Sequence, residues 1–226
     1  MTESANNLEK VRARVAAAAA HAGRKLEEVQ LIAVSKTHPV EKIREIVEEG
    51  HTLFGESRVQ EAIVKIPQLP SALHWHFIGH LQKNKIRKAL PFFELIHGVD
   101  SLESAQDIDR VAEEMGRFPR ILLETNVSGE GSKFGFKPDI LRQQMEALLS
   151  LQRIEIHGLM TMAPFSEDPE NARPCFARLR ELRDQLQTEF KVSLPELSMG
   201  MSGDYEVAIE EGATLVRVGT AIFGGR

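Results

Sequence analysis

Apolar positions along this chain follow two alternating rhythms. Short runs rich in β-branched and aromatic residues recur from residue 30 to the end, each bounded by polar or glycine-containing turns. They predict strands at 30–35, 51–54, 73–78, 94–99, 120–126, 154–160, 196–199 and 214–218. Between them, apolar residues return every three or four positions, the period of a helix with one buried face. Leu102, Ala105, Ile108, Val111 and Met115 form one such stripe, and Phe176, Leu179, Leu182, Leu186 and Phe190 another. Asp100 with Glu103 predicts a capping box at the start of the former. A further helix is predicted over 3–22, through the alanine run Ala16 to Ala20. Strands that alternate with helices pair in parallel. Eight such units close into a (β/α)8 TIM barrel with an extra N-terminal helix, and an open doubly wound sheet is the alternative. No composition break marks a linker, so residues 1–226 are expected to form a single domain.

Composition narrows the class. The chain has 226 residues, is 42% hydrophobic and 27% charged, which predicts a sizeable core rather than disorder. A net charge of −5 argues against a protein whose main task is gripping nucleic acid. Lys83, Lys85, Arg87 and Lys88 make a local basic stripe, read as the solvated face of a helix. One cysteine, Cys175, excludes an intramolecular disulfide and fits a reducing compartment as a small buried helix residue. With no signal peptide and no apolar span to cross a bilayer, the expected location is the cytoplasm.

Lys36 adds chemistry. It closes the apolar run Leu31-Ile32-Ala33-Val34-Ser35, just before Thr37-His38-Pro39. Desolvation at such a place lowers an amine's pKa and frees it as a nucleophile toward an aldehyde or ketone. The same lysine also reads as one that snorkels to solvent. Barrel active sites lie at the C-terminal strand ends, often with a phosphate site after strands 7 and 8. Strand 7 leads into Gly200-Met201-Ser202-Gly203-Asp204, and strand 8 into Gly219-Thr220-Ala221. Glycines let backbone N–H groups approach an anion, and Ser202 and Thr220 add hydroxyls. Together these features suggest a ligand with a carbonyl and a phosphate. Alternation in Thr214-Leu215-Val216-Arg217-Val218 sends Arg217 to the opposite face from Val216 and Val218. A buried guanidinium there needs a ring nitrogen, a carboxylate or a structural ion pair.

Several segments then carry a resemblance: Ala33-Val34-Ser35-Lys36, Phe54-Gly55-Glu56, Trp75-His76-Phe77-Ile78-Gly79-His80-Leu81-Gln82-Lys83-Asn84-Lys85, Gly158-Leu159-Met160-Thr161-Met162, Leu197-Ser198-Met199-Gly200-Met201-Ser202-Gly203-Asp204 and Arg217-Val218-Gly219-Thr220. Across nearly its whole length the chain resembles the pyridoxal 5′-phosphate homeostasis protein family, a fold-type III barrel related to the N-terminal domain of alanine racemase. The resemblance implies that Lys36 carries pyridoxal 5′-phosphate (PLP) as a Schiff base. It implies that Ser202, Gly219 and Thr220 hold the phosphate and that Arg217 faces the pyridine nitrogen. An arginine cannot accept that nitrogen's proton, so the ring would be a weak electron sink.

The resemblance also implies a role. Alanine racemases of this barrel class carry a further β-rich domain and a tyrosine opposite the lysine, supplied by the partner subunit. This chain is expected to lack both, and its single tyrosine, Tyr205, reads as a packing residue. The expectation is a non-catalytic, monomeric PLP carrier that serves PLP-dependent apoenzymes. A PLP-dependent racemase or lyase is the alternative, and a barrel aldolase acting through Lys36 is a third class. Ser57 departs from the family, many members having asparagine there, which puts a ring contact in doubt. Lys133 is a second amine near the mouth, read as a secondary or transfer site or as a solvated loop lysine. His74, His76 and His80 could hold a metal, but with no suitably spaced carboxylate or cysteine they read as packing or hydrogen-bonding residues.

Overall fold

The computed structural model describes residues 2–129 and 134–225. Helix α1 (Glu3–His21) opens the chain, capped by the Thr2 hydroxyl, which accepts from the Ala5 N–H at 3.3 Å. Strands and helices then alternate: β1 (Gln30–Val34), α2 (Val40–Glu48), β2 (Leu53–Glu56), α3 (Val59–Lys65), β3 (His74–His80), α4 (Ile86–Ala89), β4 (Leu95–Val99), α5 (Leu102–Met115), β5 (Arg120–Glu124), α6 (Pro138–Leu149), β6 (Glu155–Met160), α7 (Arg173–Phe190), β7 (Glu196–Ser198), α8 (Tyr205–Glu210), β8 (Leu215–Val218) and α9 (Thr220–Phe223).

Each strand pairs in parallel with its sequence neighbours, and β8 returns to β1, with Gln30 opposite Leu215 and Ala33 opposite Val218. The sheet is therefore a closed eight-stranded barrel and not an open doubly wound sheet. All eight predicted strands are present, with shifted ends. The second begins at Leu53 and extends to Glu56, because His51 Nε2 bonds the Leu53 carbonyl at 2.7 Å and stays outside the ladder. The cap of α5 also differs from expectation. Ser101, not Asp100, adopts the extended N-cap conformation, and its hydroxyl accepts from the Ser104 N–H at 3.1 Å. Asp100 instead accepts from the Ser104 hydroxyl at 3.0 Å.

Side-chain alternation divides the core into two shells. Val216 and Val218 join the large cluster between barrel and helices, with Ile108, Phe176 and Leu179. Leu215 points inward with Ile32, Val34, Leu95, Leu122 and Met160. Arg217 shares the inward face and is buried. Between β6 and β7 the strands approach so closely that a Cβ on Gly158 would lie 1.9 Å from the Glu196 carbonyl oxygen. Only glycine fits there. Among the described residues no helix is long and apolar enough to cross a membrane.

Candidate functional site

The barrel brings Lys36, Ser202, Arg217, Gly219 and Thr220 to one cavity of about 340 Å3 at the C-terminal ends of the strands. That is within the usual size range of small-molecule sites, roughly 300–1,000 Å3. Val34, Ile78 and Met162 supply apolar walls. Larger cavities exist elsewhere: one of about 800 Å3 is lined by Pro67, Trp75, Phe92 and Phe118, near the opposite strand ends. It gathers no comparable set of an amine, hydroxyls and glycine turns, so size does not pick out the functional site.

Lys36 is held through its neighbours. The buried Ser35 hydroxyl donates to Glu56 Oε1 at 2.8 Å. Lys65, reaching back from the end of α3, donates to the Ser35 carbonyl at 2.9 Å and to Glu56 Oε1 at 3.1 Å. It also bonds Glu61, whose carboxylate accepts the Thr37 N–H at 2.5 Å. Thr37 has φ +68°, a left-handed conformation that a β-branched residue rarely adopts. Such backbone persists only where its surroundings over-determine it. Here the Glu61 bond and the Ser35–His38 turn, closed at 3.1 Å, do so. His38 further stacks on Phe223 at 4.8 Å, tying the loop after β1 to α9. Burial raises the Glu56 carboxyl above the usual carboxylate range, and Lys65 and Ser35 oppose the shift.

Across the cavity, two backbone donors converge on one oxygen. The Gly219 and Ala221 N–H groups point at Ser202 Oγ, at 3.2 and 3.3 Å. The Ser202 loop is braced by Asp204, which accepts the Met201 N–H at 2.6 Å. Its tight turn needs Gly200, with φ +91°, where a Cβ would meet Tyr205 Cα at 2.9 Å. This corner offers an oxygen-accepting position framed by backbone N–H groups and the Thr220 side chain.

Arg217 lies between these ends. One guanidinium nitrogen donates to the Ser198 hydroxyl and another to the Thr161 carbonyl at 2.9 Å. Burial lowers its pKa to about 10, with Glu124 and Asp204 opposing the shift, so it stays charged at neutral pH. It is a pure donor there. Sequence reasoning missed what lies behind it. Ser198 Oγ also meets His97 Nδ1 at 2.8 Å, and His97 Nε2 meets His76 Nδ1 at 3.0 Å. The available signal was a histidine and a serine inside the apolar runs Leu95-Ile96-His97 and Leu197-Ser198-Met199.

The remaining candidates go to other places. His74 pairs with Glu94 at 2.7 Å, His80 with Asp100 at 2.9 Å, and His76 with His97. Among the described residues no group of three His, Cys, Asp or Glu could hold a metal. In the basic stripe, Lys83 pairs with Asp107 at 2.9 Å and Arg87 with Glu114, so part of it fastens α4 to α5. Tyr205 is buried under the Arg14 guanidinium, 5.4 Å from the ring centroid, and is not among the residues lining the cavity. Ser57 is also outside the lining, with its backbone against Gly79. Lys133 lies outside the described residues.

Known proteins resemble this chain in sequence and fold. The family described as "Alanine racemase, N-terminal domain" matches residues 6–226. A pyridoxal phosphate homeostasis protein of Aquifex aeolicus is 46% identical over 220 residues, covering 97% of this chain and 96% of the relative. The chain belongs to the pyridoxal phosphate homeostasis protein family. The member from Pseudomonas aeruginosa is 43% identical over 230 residues, covering all of this chain and 97% of its own. PipY of Synechococcus elongatus, solved with PLP bound, superposes with a TM-score of 0.86 at 41% identity, covering 98% of this chain and 100% of that one. An alanine racemase of Clostridium difficile shares the fold, with a TM-score of 0.78 at 19% identity, over 99% of this chain and 57% of that one.

Proposed function

We propose that the protein binds pyridoxal 5′-phosphate in the cavity after β1, β7 and β8, held covalently through Lys36, and acts as a carrier of the cofactor in PLP homeostasis. The observation that carries this reading is the convergence of Lys36, Arg217, Ser202, Gly219 and Thr220 on one cavity of about 340 Å3. When bound, PLP supplies an aldehyde that an amine captures reversibly and a pyridine ring that acts as an electron sink.

The donor set fits such a molecule. Lys36 provides the amine. Ser202, Gly219 and Thr220 provide hydroxyls and backbone N–H groups to grip a phosphate, and Ser202 Oγ already occupies a position where two N–H groups meet an oxygen. Arg217, which lines the cavity, would present a charged donor to the ring nitrogen, and a guanidinium has no proton acceptor to offer it. That arrangement would withhold the proton which would make the ring a strong sink. The chain's single tyrosine packs against α1 and does not line the cavity. Residues 1–226 thus act as one cofactor-binding barrel, and we read it as a cytoplasmic monomer that passes PLP to dependent apoenzymes without strong catalysis of its own. The names of its relatives support the homeostasis role.

Purified protein supplied with PLP should absorb in the visible range, and mass spectrometry after borohydride reduction should find the cofactor on Lys36. Lys36→Ala should remove both signals. A native protein that stays colourless with added PLP, or a Lys36→Ala variant that keeps the reduced adduct, overturns the reading.

A further inference from the structure

A continuous line of hydrogen-bonded polar side chains runs through the barrel interior. Arg217 lines the cavity at the C-terminal mouth. Behind it stand Ser198 and His97, both wholly buried, and then His76, buried at 7% exposure. His76 also lines a separate crevice of about 450 Å3 at the N-terminal ends of the strands, with His74, Glu94, Arg120, His157 and Glu196. The line thus crosses from one mouth of the barrel to the other through β8, β7, β4 and β3.

Its direction follows from chemistry. A guanidinium only donates, so Ser198 Oγ accepts from Arg217. The Ser198 hydroxyl has one proton to place, and among the described residues the acceptor in reach is His97 Nδ1, at 2.8 Å. Leaving that proton unplaced in a wholly buried site would be costly, because the hydroxyl has no water to turn to. His97 therefore carries its proton on Nε2 and donates it to His76 Nδ1, at 3.0 Å. His76 in turn carries its proton on Nε2. Every donor points away from Arg217, toward the far crevice. Both rings must be neutral for this order, and burial lowers the pKa of His76 to about 4 and that of His97 well below its ordinary value.

We propose that Ser198, His97 and His76 are positioning residues for Arg217, a one-way hydrogen-bond relay that fixes the guanidinium from behind and links the ring-facing site to the opposite mouth. A proton arriving on His76 Nδ1 removes the acceptor of His97. His97 must then shift its proton to Nδ1, and Ser198 loses the acceptor for its own hydroxyl. The brace on Arg217 loosens without any residue of the cofactor cavity being touched. The charged and titratable groups that face His76 are His97 from β4, Arg120 from β5 and His74 on its own strand. Glu94, His157 and Glu196 complete the crevice. The consequence for cofactor grip rests on the function proposed above, whereas the relay itself does not.

Two measurements separate them. Long-range 1H–15N correlation spectra of the cofactor-free native chain at pH 7 should show His97 and His76 both as the Nε2–H tautomer. Finding His97 protonated on Nδ1 overturns the relay, whatever the protein binds. In the loaded protein, His97→Leu should weaken PLP binding about tenfold, the loss of roughly one hydrogen bond to a charged group. His97→Gln should stay within about twofold of wild type, because its amide accepts and donates in the same order. Equal losses in the two variants overturn the positioning role. If the leucine variant does not fold, the tautomers in the native chain still decide the matter. A chain with the expected tautomers that takes up no PLP would fail the functional reading alone.

Discussion

Both mouths of the barrel are polar, and they are polar in opposite ways. At the N-terminal mouth, several acids and bases are already matched: His74 with Glu94 at 2.7 Å and His157 with Glu155 at 3.2 Å. At the C-terminal mouth, an amine, a guanidinium and two backbone N–H groups from different elements converge on one cavity, with acids set behind them as braces. The larger cavity lies near the former. Neither polarity nor volume therefore makes a site. Donors from separate strands must be aimed at shared space, and their supports must lie outside it.

The sharpest way to break this contrast is to remove a support. Lys65→Met leaves Glu56, wholly buried, without its ammonium partner. Breaking a buried pair from one side costs about 3–5 kcal/mol. Urea unfolding should show a loss of that size and, on the function proposed above, PLP capture at Lys36 should slow, because the Ser35 carbonyl loses its anchor. An unchanged urea midpoint would show that the brace is dispensable.

At the other mouth the lever is pH. His51 and His76 are both pushed down to about 4 by burial, below the ordinary value of about 6.5. The unfolded chain takes up protons between these values and the folded chain refuses them. The stability these histidines contribute is thus complete above about pH 6.5 and is lost as pH falls toward 4. At pH 5 each accounts for about 2 kcal/mol. Glu56, Glu124 and Asp204, raised by burial, work in the opposite sense and offset part of this. His76→Gln should flatten the difference between unfolding free energies at pH 7 and pH 5 by about 2 kcal/mol. A variant as acid-sensitive as wild type would contradict the assignment.

The smallest effect belongs to the paired groups at the rim. His74 and Glu94 are exposed, and such pairs contribute about 0–1 kcal/mol. His74→Ala should leave stability within that margin and PLP binding unchanged. A large loss of PLP binding would mean that the exposed rim pair, and not only buried His76, acts on the site.

The contrast also explains what could be read from the chain. The eight strands were legible because each is a short apolar run, and apolar burial is a property of consecutive residues. Lys36, Ser202, Arg217, Gly219 and Thr220 stood out because residues of their kinds interrupt or end such runs. The Glu56–Glu61–Lys65 brace was not legible. Its members are ordinary charged residues around α3, and only the return of that helix over β1 and β2 brings Lys65 to the Ser35 carbonyl. His97 and Ser198 lie 101 positions apart, joined by a bond that no local pattern carries. The α5 cap went one residue astray because Asp100 and Ser101 are both good caps, and backbone geometry chose the serine.

Barrel closure has one last consequence, for the timing of biosynthesis. Lys36 lies just past the end of the first strand, while Ser202, Arg217, Gly219 and Thr220 lie on or beside the last two. Gln30 to Ala33 meets its partner Leu215 to Val218 only after nearly the whole chain has been made. A nascent or prematurely terminated chain can thus display the lysine without the donors that the proposed phosphate grip requires. On the function proposed above, visible colour would appear only once β7 and β8 have joined β1.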